Sequence, residues 1–209
     1  MKSNGAVLSI ESLSRRFGAR EVIRSLDLTA EPGQRVALWG PNGSGKSTVL
    51  RCVAGTLMPS AGSVYVGGHS AGELAARRLV GASLAQERSF YLRLSGRTNL
   101  LFFARIRYDS RREGTRAVDS LIEELEIADI AAQRVDRCST GMVQQLGIAR
   151  ALLGEPAVLL LDEPTRSLDA DARRRLWAAL SRRPRAAALI ATHLDEDVKL
   201  CDERVSFPV

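Results

Sequence analysis

The sequence predicts an α/β fold, and three observations carry that expectation. Short β-type runs recur along most of the chain, helical patterns follow several of them, and two of the runs are apolar without a break. In order, residues 7–10, 22–28, 35–39, 63–66 and 80–84 read as strands, and residues 46–54 form a helix directly after the third. Between about residues 97 and 154 the strand signal disappears. There residues 99–106, 113–125 and 142–152 place apolar side chains at helical spacing. Strands return at 158–161 and 188–191, with helices at 170–181 and 195–200. The runs at 158 and 188 are continuously apolar, as parallel strands buried on both faces must be. The expectation is a mixed sheet interrupted by a helical insertion at about residues 96–154, all within a single domain over residues 1–209. No Pro-, Gly- or Ser-rich linker divides the chain, and it contains no internal repeat.

Composition narrows the function classes. With 209 residues, 45% hydrophobic and 26% charged, the chain can bury an ordinary globular core. Its longest apolar runs, residues 157–161 and 186–191, fall far short of the roughly 18 needed to cross a membrane. No charged stretch followed by an apolar segment opens the sequence, so no secretory signal is expected. Cys52, Cys138 and Cys201 are odd in number and far apart, which fits a reducing compartment and no metal centre. The net charge is +6, and only Lys2, Lys46 and Lys199 of the 30 basic residues are lysines. The arginines at 173–175 and 182–185 are interleaved with Ala and Leu rather than stacking aromatics, so no nucleic-acid partner is expected.

The strongest motif is Gly40-Pro41-Asn42-Gly43-Ser44-Gly45-Lys46-Ser47-Thr48, which follows a strand and opens a helix. Glycines 40, 43 and 45 let the backbone turn tightly and bring N–H groups up to phosphate oxygens. The helix beginning near Lys46 adds its positive end. Lys46 reaches β- and γ-phosphates, and the Ser47 hydroxyl ligates Mg²⁺. This motif alone fits ATPases, GTPases and kinases equally well. A second site lies at the end of the apolar run 157–161, where Asp162 and Glu163 form a carboxylate pair. Asp162 suits water-mediated coordination of Mg²⁺, and Glu163 suits activation of a water in line with the γ-phosphate.

About twenty residues before that pair runs Cys138-Ser139-Thr140-Gly141-Met142, then Val-Gln-Gln-Leu-Gly-Ile-Ala-Arg150. With this stretch the sequence resembles the nucleotide-binding domains of ABC (ATP-binding cassette) transporters, from about residue 7 to residue 205. The resemblance implies a P-loop NTPase of ABC type: a mixed sheet core with an antiparallel β portion and an inserted helical subdomain. Phe17-Gly18 is similar to the aromatic loop that stacks on adenine. Gln86 resembles the glutamine that joins the metal site to the helical subdomain, and His193 the switch histidine that touches the γ-phosphate. Ser139, Thr140, Gly141 and Met142 occupy the signature positions that serve the ATP of a partner subunit, and Leu168-Asp169 matches the D-loop. By itself Ser139 is equally well read as a helix cap. The signature departs from the usual LSGGQ, with Thr140 and Met142 in place of glycine and glutamine, and Arg166-Ser167 stand where small residues are common in the D-loop.

The resemblance further implies ATP and Mg²⁺ as cofactors, a second nucleotide-binding subunit in a head-to-tail dimer (most simply a homodimer), and a separate membrane-spanning permease. It places the protein at the cytoplasmic face of the membrane as a peripheral subunit. The STGM form of the signature is similar to that of short ATPases serving ABC-2-type exporters, the haem-exporter type among them. Phe90, Tyr91, Phe102 and Phe103 fall where the family docks its permease; packing of the helical subdomain is the alternative use for them. A soluble ABC ATPase acting on nucleic acid or ribosomes is the rival function.

Overall fold

A computed structural model describes residues 5–84 and 90–207 of the chain. A hairpin of β1 (Leu8–Phe17) and β2 (Arg20–Ala30) leads to β3 (Arg35–Trp39) and α1 (Lys46–Val53). Next come β4 (Ala61–Val66), β5 (His69–Ser70), α2 (Leu74–Arg78) and β6 (Val80–Ser83). Helices α3 (Gly96–Arg107), α4 (Arg111–Glu124), α5 (Ala128–Ala132) and α6 (Thr140–Leu152) follow without a strand between them. Then come β7 (Val158–Asp162), α7 (Ala170–Ser181), β8 (Ala187–Thr192), α8 (Asp195–Val198) and β9 (Glu203–Ser206).

The parallel and antiparallel strands sort into two sheets. One is antiparallel in the order β2-β1-β4-β5; the other is wholly parallel in the order β6-β7-β8-β3-β9. Every residue of β7 and β8 is buried, as their unbroken apolar sequences require. Side chains alternate between the faces of the parallel sheet. Val158 and Leu160 join β1, β4 and α1 in one core, while Leu159 and Leu161 face α6 and α7 in the other. The elements without a clear sequence signal are short or polar. Strand β5 has two residues, α2 and α5 have five each, and β9 is a mostly exposed edge strand.

Helix α6 lies almost directly on β6. A methyl group added at Gly81 would fall 1.9 Å from the Ala151 carbonyl oxygen, and one at Gly147 would fall 2.9 Å from Ser83 Oγ. Arg150 reinforces the contact by donating to the Ala82 carbonyl at 3.1 Å. At the other end of the helical segment, Arg183 forms a two-pronged pair with Glu124, at 2.8 Å to each oxygen.

Candidate functional site

Strand β3 delivers the chain to the phosphate loop at the C-terminal edge of the parallel sheet, where ligands of open α/β sheets bind. Gly45 caps α1 with φ +108°, a conformation that side chains rarely adopt, and a Cβ there would press on the Val22 carbonyl at 3.0 Å. The Lys46 ammonium is buried and turns back into its own loop, donating to the carbonyls of Gly40 at 2.7 Å and Pro41 at 2.9 Å. These bonds fold the loop around its own cation. Ser47 and Thr48 stand half-buried in the first turn of α1, and Ser44 Oγ is buried without a partner. Beside the loop opens a cleft of about 470 Å³, lined among others by Arg20, Val22, Gly43, Ser44 and Phe207. Phe17, at the end of β1, is 47% exposed, and the Arg15 guanidinium lies 4.6 Å from its ring centroid.

Asp162 ends β7 with the same parity as Val158 and Leu160, which puts it on the side of the sheet that α1 covers. It is buried and makes no side-chain hydrogen bond among the described residues. Glu163 follows in the left-handed region at φ +49°, a strained conformation for a residue with a side chain. Its backbone N–H donates to the Ala191 carbonyl of β8 at 2.8 Å, fastening the end of one strand to the next. Its carboxylate Oε2 lies 2.8 Å from His193 Nδ1, while Oε1 is buried and unpartnered. The carboxylate accepts, so Nδ1 carries the proton of that bond. The structure thus brings Asp162, Glu163 and His193 together at the edge that also carries Lys46 and Ser47. Gln86 lies outside the described residues.

Ser139, Thr140, Gly141 and Met142 open α6. Ser139 Oγ accepts from the Met142 N–H at 3.3 Å, so the serine is the helix cap. The Met142 sulfur in turn accepts from the Ser139 N–H at 3.4 Å. Asp169 caps α7 in the same manner, accepting from the Ala172 N–H at 2.7 Å.

The family model described as ABC transporter matches residues 23–166. The chain belongs to the ABC transporter family. Among its relatives are an uncharacterised ABC transporter ATP-binding protein, YdbJ, of Bacillus subtilis (strain 168) and a Nod factor export ATP-binding protein I of Rhizobium johnstonii. The first is 34% identical over 203 residues and the second 35% over 199; the matches cover 94% and 93% of this chain. The chain spans 64% of the length of each. A solved structure described as an ATP binding subunit of an ABC transporter is 27% identical, with a TM-score of 0.87 over 96% of this chain and 85% of that one.

Within the ABC framework the departures of the signature have local explanations. Thr140 has ordinary helical backbone, so position 140 imposes no need for glycine. Gly141 is different: a Cβ there would meet the Ser167 carbonyl oxygen at 2.3 Å. Met142 replaces the side-chain acceptor of a capping box with a thioether, a weaker acceptor of the same reach. The Arg166 backbone N–H closes a turn on the Glu163 carbonyl at 3.3 Å, a bond that does not depend on the side chain, and nothing in the structure explains the arginine itself.

The aromatic group splits into a half-buried pair and an exposed pair. Phe103 and Phe90 are half-buried and meet edge to face at 6.0 Å, with Arg150 lying 5.3 Å from each ring centroid. Tyr91 and Phe102 pack on each other at 5.1 Å and are 52% and 42% exposed. Close by, Leu74, Leu84, Phe103, Ile106 and Arg107 line a groove of about 400 Å³. Sequence reasoning did not single out Thr165, Thr192 or Asp197, which are completely buried behind Glu163 and His193. An acid in an acidic run and threonines just past apolar strands carry no signal of burial.

Proposed function

We propose that this chain is the ATP-binding and ATP-hydrolysing subunit of an ABC transporter, working as a dimer beneath a separate membrane-spanning permease. One observation carries the reading. The lysine loop, the carboxylate pair and His193 converge on one edge of the parallel sheet, whereas the signature turn at Ser139 opens α6 on an exposed surface.

Gly40, Pro41, Asn42, Gly43, Ser44, Gly45, Lys46, Ser47 and Thr48 would bind the triphosphate through backbone N–H groups, the ammonium and the helix end. Phe17 would stack on the adenine. Ser47 and Gln86, with Asp162 through water, would hold Mg²⁺; a hydroxyl and an unengaged carboxylate are the hard oxygen donors this ion selects. The ion supplies charge neutralisation at the β- and γ-phosphates. Glu163 takes the proton of the attacking water, and its unpartnered Oε1 is the oxygen free to do so. His193 orients that carboxylate and contacts the terminal phosphate. Ser139 and Gly141 would present α6 to the ATP of the partner subunit, with Thr140 and Met142 flanking them and Asp169 at the interface. ATP then acts as glue between two copies, and hydrolysis releases them.

Export is the direction the reading favours, supported by the similarity to the Nod factor export protein. Tyr91, Phe102 and the groove beside them form the surface for the permease. The protein would therefore sit at the cytoplasmic face of the membrane, held by that partner; among the described residues no helix is long and apolar enough to cross a bilayer.

The decisive variant is Glu163→Gln. It keeps the shape and ATP affinity but removes the base, so turnover should drop by roughly a hundredfold or more. An ATP-bound dimer should then accumulate on size-exclusion chromatography. Turnover at the wild-type rate in this variant would end the assignment.

A further inference from the structure

Behind the site lies a buried carboxylate that the proposed chemistry does not use. Asp197 sits on the four-residue α8 with no exposed surface. Its Oδ2 accepts two hydroxyl hydrogen bonds, from Thr165 Oγ1 at 2.5 Å and from Thr192 Oγ1 at 3.1 Å. Its Oδ1 is buried without a partner among the described residues. Thr165 is two residues beyond Glu163, and Thr192 immediately precedes His193. One oxygen therefore joins the two loops that carry the paired groups of the site.

The bonds continue outward on both sides. Thr192 Oγ1 also accepts from the Leu194 N–H at 3.1 Å, which fixes the backbone on each side of His193. The Thr165 carbonyl accepts from the Leu168 N–H at 3.1 Å, which shapes the turn leading to Asp169. Burying a carboxylate with one oxygen unpaired is costly, and two apolar side chains would fill the space at lower cost. The clamp gives direction in return. Hydroxyl hydrogen bonds fix angle as well as distance, and apolar contacts do not.

We infer that Asp197 is a positioning residue for ATP hydrolysis: through Thr165 and Thr192 it sets the arrangement in which Glu163 and His193 meet. The inference rests on the ATPase reading above. It places a second layer of polar contacts behind the strained Glu163, whose backbone at φ +49° needs such support to persist.

The test is steady-state hydrolysis of Mg²⁺-ATP by the full chain, at protein concentrations that allow dimers and at a temperature below the melting point of every variant. Asp197→Ala should lower kcat on the order of a hundredfold while leaving KM for ATP unchanged. Asp197→Asn keeps an oxygen that can accept from both hydroxyls but buries an unpaired amide. It should melt at a lower temperature than wild type yet retain kcat within severalfold. A purely stabilising role predicts instead that the two variants lose rate together, in step with their melting points, and that result overturns the inference. Unchanged kcat in Asp197→Ala overturns it too. If the alanine variant does not fold, Thr165→Val and Thr192→Val carry the test, each expected to lower kcat at constant KM; wild-type kcat in both overturns the clamp. The wild-type chain separates this proposal from its foundation. Active wild type with an equally active Asp197→Ala variant removes the clamp alone, whereas wild type that neither binds nor hydrolyses ATP removes the site reading itself.

Discussion

The two halves of the proposed site are built by different means. On the parallel sheet, the functional side chains stand at or just past the ends of buried strands, and three of them are held by groups of the same chain. Lys46 is bonded to Gly40 and Pro41, Glu163 to His193, and the loops behind them to Asp197. At the start of α6, the Ser139 and Met142 side chains bond only within their own turn. In the function proposed, the sheet half is a finished binding surface, and the helix half would present its N–H groups to an acceptor on another molecule. Loss of the first should abolish nucleotide binding in a single copy. Loss of the second should be felt only when copies meet.

The largest effect that can break this comparison comes from mixing variants. Lys46→Ala removes the loop's cation and should weaken ATP binding by roughly ten- to a hundredfold. Ser139→Glu places a negative charge where phosphate is expected and should leave binding intact while stopping turnover. Each variant alone should be inactive at ordinary ATP concentrations. Mixed, they form dimers in which one of the two sites pairs an intact loop with an intact signature. Turnover should reappear, and a mixture as inactive as its components would show that the helix half serves its own chain. A smaller effect is expected from Gly141→Ala, whose new methyl group must displace the Ser167 carbonyl. We expect turnover to fall about tenfold with nucleotide affinity of the single copy unchanged, since α6 tilts away from its partner while the sheet is undisturbed. Reduced affinity measured by equilibrium dialysis would contradict that separation.

The smallest effect concerns the junction of the two halves. Hydrogen bonds from Arg183, at the end of α7, are the main reason the Glu124 carboxyl on α4 titrates below its ordinary value. A depressed carboxylate stabilises the fold above its unfolded pKa, near 4.3, and that contribution is lost as the pH falls through the lower folded value. Glu124→Gln should therefore melt lower than wild type at pH 7. The gap should narrow as acid protonates the wild-type carboxyl; a gap that does not change with pH would exclude the ion pair as its source.

How much of this was legible in the sequence follows the same division. Strands β7 and β8 announce themselves because burial on both faces demands unbroken apolar residues. The phosphate loop is equally legible, because backbone approach to phosphate demands glycines at set intervals. Strand β9 is not, since an exposed edge strand needs only a few polar residues. The separation of the strands into two sheets was also hidden, because pairing depends on contacts between residues far apart in the chain. In the site, Lys46, Asp162, Glu163 and His193 could be named from motif order alone. Asp197 could not: Asp195-Glu196-Asp197 reads as the solvated acidic first turn of a helix, and only the folded chain brings Thr165 to it. The need for glycine at 141 but not at 140 was equally invisible, because it is set by the Ser167 carbonyl, 26 residues further on.

The seating of α6 on β6 has a mechanical consequence. With Gly81 against Ala151 and Gly147 against Ser83, the rear of the helix has no room to slide on the strand. It is a shaft clamped from Gly147 onward, and the seven residues ahead of the clamp reach about 10 Å to the signature turn. A tilt of about 5° at the clamp swings that turn by nearly 1 Å, about a third of the length of a hydrogen bond. On the function proposed, a small rotation at the sheet edge would thus shift the signature turn relative to a phosphate held on a different subunit.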